Sequence, residues 1–459
     1  MTKPGRGGEP TIVDVAVIGA GPAGMIAALE SAKLGLHVRL YADPGQPSGA
    51  LQTGALGPVA GIDLAAESFS ADGFTAKLAA DLGVAVEPLG NRRTRLRTAR
   101  AAGILPIGFR AGIAANPFDP ALRPLLRRGL LRTYADRVMP YLQIGEEPNL
   151  GRLVRARLGD RFLSSVTRPF LGALWSLDPD QVSVDRAIPG LNAALTRLGS
   201  LQGAVASLER TERSDVRTVG GAGALAAALR VQLENYAVEI HNERVGSVEA
   251  AGDYWLLNGT ETGVLRSRTV VIACDPAGLG FARPESQVPL AGERLMVHAL
   301  VRLGAPLAPE EPSGVLRSEG PLRSLVRVAA RSAALADQLE PGVELLRASI
   351  DSELLSDTAL NDDETAESLL AEVFSEEFAS ETQLLELHTE RWPMVRPWVA
   401  LGDPAPGSRQ GSADGSMEIA GAWAAGPGLD AAFRNGHDVA HRVRRVALAR
   451  RSSADHADT

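Results

Sequence analysis

Hydrophobic and polar positions fall into blocks of different period along the 459 residues. Ile12–Ile18 is nearly all apolar, the pattern of a strand buried on both faces. Residues 25–34 predict a helix with small residues toward a sheet, stopped by Gly35, and residues 37–41 predict a second, parallel strand. Together they make one βαβ unit. Residues 63–83 predict a loop and a helix with Leu78 and Leu82 on one face. From 91 to 210 the pattern changes, with helical spacing near 121–141 and 151–174. A run from Val219 to Gly223 leads into a helix over 224–236. Residues 238–240, 245–250 and 254–257 predict short antiparallel strands, and 269–273 a buried one. Alternation returns between 290 and 350, as in 297–302 and 344–350. Asp362–Phe378 predicts an acidic helix, 417–421 a last strand, and residues 428–450 a final helix. Residues 1–11 and 451–459 are expected to be flexible ends.

The chemistry announces itself between the first strand and the first helix, where Gly19-Ala20-Gly21-Pro22-Ala23-Gly24 reads G-x-G-x-x-G. Such a turn brings bare backbone against a pyrophosphate and aims a helix N-terminus at its charge. Gly19, Gly21, Pro22, Ala23 and Gly24 are therefore candidate cofactor residues. Where such units usually carry an acidic residue for the ribose stands Ala42, with Asp43 one position on as a substitute. A second glycine-led helix start, Gly426-Pro427-Gly428-Leu429, points to a flavin rather than a nicotinamide, because a distant C-terminal helix would help complete the site.

Composition narrows the rest. The chain is 45% hydrophobic and 22% charged, ordinary for a globular protein, and long enough for two or three domains. One cysteine, Cys274, excludes an internal disulfide and fits a cytoplasmic setting. The net charge of −8 conceals a basic segment, for residues 91–170 hold sixteen arginines, no lysine and five acidic residues. Those arginines suit carboxylates or anionic lipid heads, with Leu125, Leu126, Leu130 and Leu131 as apolar neighbours. Overall acidity and 4% aromatic content argue against a nucleic-acid partner. No metal site is expected: of the seven histidines only His437 and His441 stand at i, i+4. No acid–base or nucleophilic constellation stands out, which suits chemistry carried by a flavin.

Several further segments, in order, resemble the FAD-dependent protoporphyrinogen and coproporphyrinogen III oxidases of the flavin amine oxidase superfamily. They are the run from Gly61 to Phe69, Arg157-Leu158-Gly159-Asp160, Arg168 to Ala173, Leu177 to Ser183, Gly199-Ser200-Leu201, Gly220 to Leu225, Arg391-Trp392-Pro393, and Gly421 to Gly436. The resemblance implies an α/β fold with a discontinuous Rossmann-like FAD-binding domain of the amine-oxidase (GR2) type (12–90, 215–284 and 405–450). It also implies a helical, Arg-rich inserted domain (91–214) and an α+β substrate domain (285–404). It adds Gly49, Val245, Gly421, Gly428 and Leu429 as cofactor residues and Arg168 as a substrate-carboxylate residue. The implied activity is dehydrogenation of a porphyrinogen, as in heme biosynthesis, with oxygen as acceptor. The implied setting is cytoplasmic, with peripheral membrane contact through 91–170. The sequence departs from the family at Ala42 and at Ala50, where a cofactor-holding arginine is usual. Losing two charged hydrogen bonds costs about 3–6 kcal/mol, enough to turn a tightly held flavin into a weakly held one. Two other readings stay open: a non-catalytic relative that has lost FAD and serves as a binding or partner protein, and a flavoenzyme acting on an amine or polyene.

Overall fold

The computed structural model describes residues 12–457, apart from 91, 107, 117–118, 127–129, 139–146, 209–214, 282–289, 356–361, 396, 398 and 402–410. The expected leader, 1–11, lies outside the described residues, as do the last two residues of the expected tail.

The strand Ile12–Ile18 buries every residue but its first. It pairs in parallel with Val38–Tyr41 on one side and Gly263–Ile272 on the other. The helix Pro22–Ala32 makes the crossover between the first two strands, its small residues packed against the sheet. Gly263–Ile272 has two kinds of neighbour on its far side. Its first half takes the antiparallel strand Tyr254–Gly259, which pairs in turn with Val245–Ala251, and its last residues take the parallel strand Met417–Ile419. The strand expected at 238–240 lies elsewhere. Glu239–His241 joins the opposite edge, parallel to Val38–Tyr41, because the helix Gly223–Asn235 carries the chain across the sheet first.

The final helix runs Leu429–Ala457, past the expected end at 450. Side chains pin that end: Arg450 Nη1 donates to the carbonyls of Asp253 (2.7 Å) and Arg268 (2.9 Å), and Arg451 pairs with buried Asp14 at 3.3 Å. Tertiary anchoring thus keeps in helix a polar segment that would fray in isolation.

A second seven-stranded sheet stands beside the first. Its order is Thr382–Val395, Leu290–Leu303, Val343–Asp351, Leu322–Arg327, Gly314–Arg317, Thr94–Thr98, Ala101–Ile104. On Leu290–Leu303 the alternation splits two faces. Leu295, Val297, Ala299 and Val301 pack under the acidic helix Asp362–Phe378. The other face carries Arg294, Met296, His298 and Leu300; Leu300 packs with Leu56, Val59 and Ile62 of the first domain, and His298 Nε2 meets the Asp63 carbonyl at 3.1 Å.

The expected helical insertion therefore does not begin at 91. Thr94–Thr98 enters the second sheet because Leu96 is apolar between two arginines that share a buried anion. Arg95 and Arg97 both pair with Glu377, whose side chain is fully buried. The helical part has its own core around Leu153, Phe162, Val166 and Leu195. The first of its two long helical stretches contains Arg123–Leu126 and Leu130–Val138, with 127–129 outside the described residues. The second is broken up. Gly159, at φ +89°, ends Leu150–Leu158, and a π turn over Leu163–Thr167 precedes Arg168–Trp175. Leu130–Val138 is turned inside out. Asp136 is fully buried and accepts from Arg157 Nε (2.6 Å), Ser200 Oγ (2.9 Å) and the amides of Leu201 and Gln202, while Leu131 is 84% exposed and Tyr134 and Val138 also face outward. Removing one partner of such a buried pair costs about 3–5 kcal/mol.

Candidate functional site

The glycine turn divides into glycines the protein needs and one it does not. A Cβ on Gly24 would fall 1.8 Å from the Gly19 carbonyl oxygen, and one on Gly19, at φ +106°, would fall 2.8 Å from the Ala273 carbonyl oxygen. Both are required to close strand, turn and helix. Gly21 is different. Its backbone is ordinary, φ −74° and ψ −176°, and a Cβ there would meet nothing nearer than Gly49 Cα at 3.9 Å. Pro22 starts the helix, no side chain caps the N-terminus, and the first turn holds no acidic residue. The uncapped amides and the helix dipole leave an electropositive end. Ala23 is buried where the final helix crosses, since a Cβ on Gly436 would touch its carbonyl oxygen at 2.3 Å. Gly49, at φ +51°, brings its own backbone against Gly21.

At the ribose end, side chains behave differently. Ala42 is fully buried in the apolar core. Asp43 pairs with Arg244 Nε at 2.9 Å and accepts the Gly45 amide at 2.8 Å. Val245, next to Arg244, is buried with Tyr41. Ala50 lies in a short 3-10 turn, Gly49–Leu51. At the C-terminal turn, Gly421 (φ +86°) donates its amide to Asn435 Oδ1 at 2.8 Å. Gly428 (φ +108°) has open space where a Cβ would stand, and Leu429 begins the final helix, buried.

Two cavities lie between the helical part and the second sheet. The outer, about 730 Å³, is lined by Arg100, Arg161, Arg168 and Arg323 together with Asp178 and Asp351. Arg168 thus reaches a cavity, held by Asp178 (2.8 Å) and Asp180 (3.2 Å). The inner, about 170 Å³, is lined by Trp175, Arg294, Met394 and Pro427 among others, and shares Ser176 with the outer one. Pro427 sits between Gly426 and Gly428, so the cavities extend toward the C-terminal glycine turn. Of the leucines expected to face a membrane, Leu125 and Leu126 turn inward and Leu131 outward; the side chain of Leu130 lies outside the described residues. No helix among the described residues is long and apolar enough to cross a membrane.

Other titratable groups serve the interior. Asp63 and Arg217 are buried together at 2.8 Å, where burial still raises the Asp63 carboxyl above its usual range. Burial resists ionisation of Glu67, but Arg347 and Arg331 beside it hold its carboxyl below the usual range. Burial, with Arg347 and His388 nearby, pushes His298 down to about 3, so it is neutral at neutral pH. Burial pushes the Cys274 thiol up to about 12, which makes it inert. Glu30, His437 and His441 bring one ligand atom each within 4.8 Å of one another. Glu30 is taken by Lys33 at 2.7 Å, and Arg444 donates to His441 Nδ1, which puts that ring's proton on the Nε2 facing His437.

Sequence reading missed Arg294 and Ser176. A signal for Arg294 was present: it falls in phase with Met296, His298 and Leu300 on a strand buried on both faces. Ser176 carries no such signal, because its φ of +52° is set by the helix end it terminates.

The family model described as glucose inhibited division protein A matches residues 14–99, which span the βαβ unit and run on into the first strand of the second sheet. No curated protein matches the sequence. Solved structures match over nearly the whole chain. One, from Exiguobacterium sp. 255-15 and named provisionally as a protoporphyrinogen oxidase, is 16% identical with a TM-score of 0.76, covering 96% of this chain and 100% of its own. Cyclohexylamine oxidase from Brevibacterium oxydans IH-35A is 16% identical with a TM-score of 0.61, over 96% and 99% of the two chains. Reduced UDP-galactopyranose mutase is 13% identical with a TM-score of 0.62, over 96% and 95%. The chain therefore has the Rossmann-like fold of the amine-oxidase type, with its second, sheet-based domain.

Proposed function

We propose that the chain is an FAD-dependent oxidoreductase acting on a carboxylated substrate, with coproporphyrinogen III or protoporphyrinogen IX as the substrate its sequence motifs favour. The observation that carries this is Gly21. Nothing in the protein requires glycine there, whereas close approach of a pyrophosphate to the backbone does. The likeness of fold to a provisionally named protoporphyrinogen oxidase and to an amine oxidase supports it.

FAD fits the cradle at its phosphate end. The amides at the start of Pro22–Ala32 would face the pyrophosphate, Gly49 would close the turn beside it, and Gly421, Gly428 and Leu429 would form the far wall. Bound there, the flavin would supply the two-electron redox chemistry that no side chain offers. The residues do the rest. Arg161 can hold a carboxylate in the outer cavity, where Arg168 is already shared between Asp178 and Asp180, and the inner one offers mainly apolar walls. Each turnover removes two hydrogens from the substrate and passes them to O2, giving H2O2.

The same reading gives the outward face of Leu130–Val138 a role. Leu131, Tyr134 and Val138, with Arg137 beside them, suit the surface of an anionic membrane.

Anaerobic mixing of the flavin-loaded protein with coproporphyrinogen III tests the substrate. Bleaching of the flavin absorbance is expected, and none with cyclohexylamine. The reverse pattern would mark an amine-type substrate. A second reading, a relative that keeps the fold without the cofactor, is favoured by one observation: Ala42 is fully covered by its own core, so no ribose anchor stands at that position.

A further inference from the structure

Arg294 is 3% exposed, yet its hydrogen bonds are incomplete. Its Nη2 donates to Ser176 Oγ at 2.6 Å. Its Nη1 stops 3.6 Å from Asp351 Oδ2, and neither Nη1 nor Nε has a hydrogen-bond partner. An unsatisfied buried donor costs about 1–3 kcal/mol, and more when it is charged. Such a group calls for a partner that the protein itself does not supply: a water, an ion or a ligand. Arg294 lines the inner cavity, whose other walls are apolar: Leu174, Trp175, Met394, Val395, Pro397 and Pro427. Ser176, its one hydrogen-bonded partner, sits in left-handed backbone at φ +52°, ψ +37°, where a non-glycine residue is strained by about 1–2 kcal/mol. This helix-end geometry places the serine at the junction of the two cavities.

We propose that Arg294, with Ser176, binds a carboxylate of the substrate at the inner end of the cavity, beside the glycine turn at Pro427. The chemistry favours a flat apolar body ending in one carboxylate. Guanidinium donors form a planar fork that matches a carboxylate. Asp351 nearby lowers the local positive charge and disfavours a dianion such as phosphate. The slot, about 170 Å³ with apolar walls, suits a single aromatic or pyrrole-like ring. This rests on the flavin reading above, because Pro427 belongs to the turn assigned to the cofactor.

Trp175 lines the same slot and reports on it. The full chain is titrated with benzoate and with benzamide, its neutral counterpart, following tryptophan fluorescence. Benzoate should bind at least tenfold more tightly than benzamide. Arg294→Met should bind both alike, Arg294→Lys should keep part of the preference, and Trp175→Phe should lose most of the signal. Equal binding of the two probes by the wild type, or no benzoate binding, overturns the proposal. So does an Arg294→Met protein that melts like the wild type and keeps the preference. Should Arg294→Met not fold, Ser176→Gly decides: it relaxes the backbone, removes the hydroxyl, and should weaken benzoate severalfold without weakening benzamide, and unchanged benzoate binding overturns the proposal. Flavin content of the same samples separates the two readings. A colourless protein that prefers benzoate keeps the carboxylate slot and sinks the flavin; a yellow protein without preference does the opposite.

Discussion

The two ends of the dinucleotide cradle are built from different material. At the phosphate end the work would fall to backbone: the uncapped amides of Pro22–Ala32, the bare Gly21 and the turn at Gly49. At the ribose end it would fall to side chains, and those have changed. Ala42 is sealed in the core, and the Asp43 carboxylate is engaged by Arg244 and the Gly45 amide. Backbone contacts survive substitution as long as the glycines remain, because they depend on turn geometry. Side-chain contacts vanish with one codon. On the proposed flavin reading, the cradle keeps its phosphate end while the ribose grip would rest on Asp43, whose side chain is 39% exposed.

The sharpest way to break this comparison is to substitute the two kinds of glycine. Gly21→Val should abolish FAD uptake, and Gly21→Ala, whose Cβ has room, should leave the melting temperature of the flavin-free protein nearly unchanged. Gly24→Ala should lower the melting temperature even without FAD, because its Cβ falls 1.8 Å from a backbone oxygen. If Gly21→Ala and Gly24→Ala lose stability equally, Gly21 is only a packing residue.

A second prediction concerns the face of the second sheet that packs on the first domain. His298 has its pKa depressed from 6.5 to about 3 by burial, so the folded state binds fewer protons than the unfolded chain. Its contribution is complete above pH 6.5 and is lost as pH falls toward 3, by up to about 1.4 kcal/mol per pH unit. Melting temperatures between pH 7 and pH 5 should fall less steeply for His298→Gln than for the wild type. Parallel pH profiles would place the acid sensitivity elsewhere.

The ribose end makes a smaller claim. If Asp43 is the remaining anchor, Asp43→Asn should weaken FAD by about 10- to 100-fold, the worth of one hydrogen bond to a charged group. An unchanged Kd would mean the ribose is held by backbone alone. The smallest expected effect is at Cys274. With its thiol pushed up to about 12, it should resist alkylation by iodoacetamide at pH 8 in the native protein and react once denatured.

Much of the fold is legible in sequence, and the failures have a common cause. The βαβ unit is readable because Ile12–Ile18, the glycine turn and the helix are local patterns of fixed period. The strand Glu239–His241 has neighbours that its own residues do not announce, because pairing is decided by where the preceding helix returns the chain. Thr94–Thr98 falls in the sheet rather than among helices, because the partner of Arg95 and Arg97 is Glu377, far away in sequence. Arg168 does line a cavity. The arginine surplus around it is less diagnostic than it looks, since Arg155, Arg157 and Arg168 are all paired with aspartates. Arg294 escapes notice for the opposite reason: one arginine in an apolar strand stands out only when both faces of that strand are known to be buried.

The most direct test of the central claim is a titration of the purified, flavin-free chain with FAD, read by visible absorbance after gel filtration. Saturable uptake that Gly21→Val abolishes and Ala50→Gly leaves intact is the result predicted for a site held by backbone. A wild-type chain that stays colourless at micromolar FAD would contradict it.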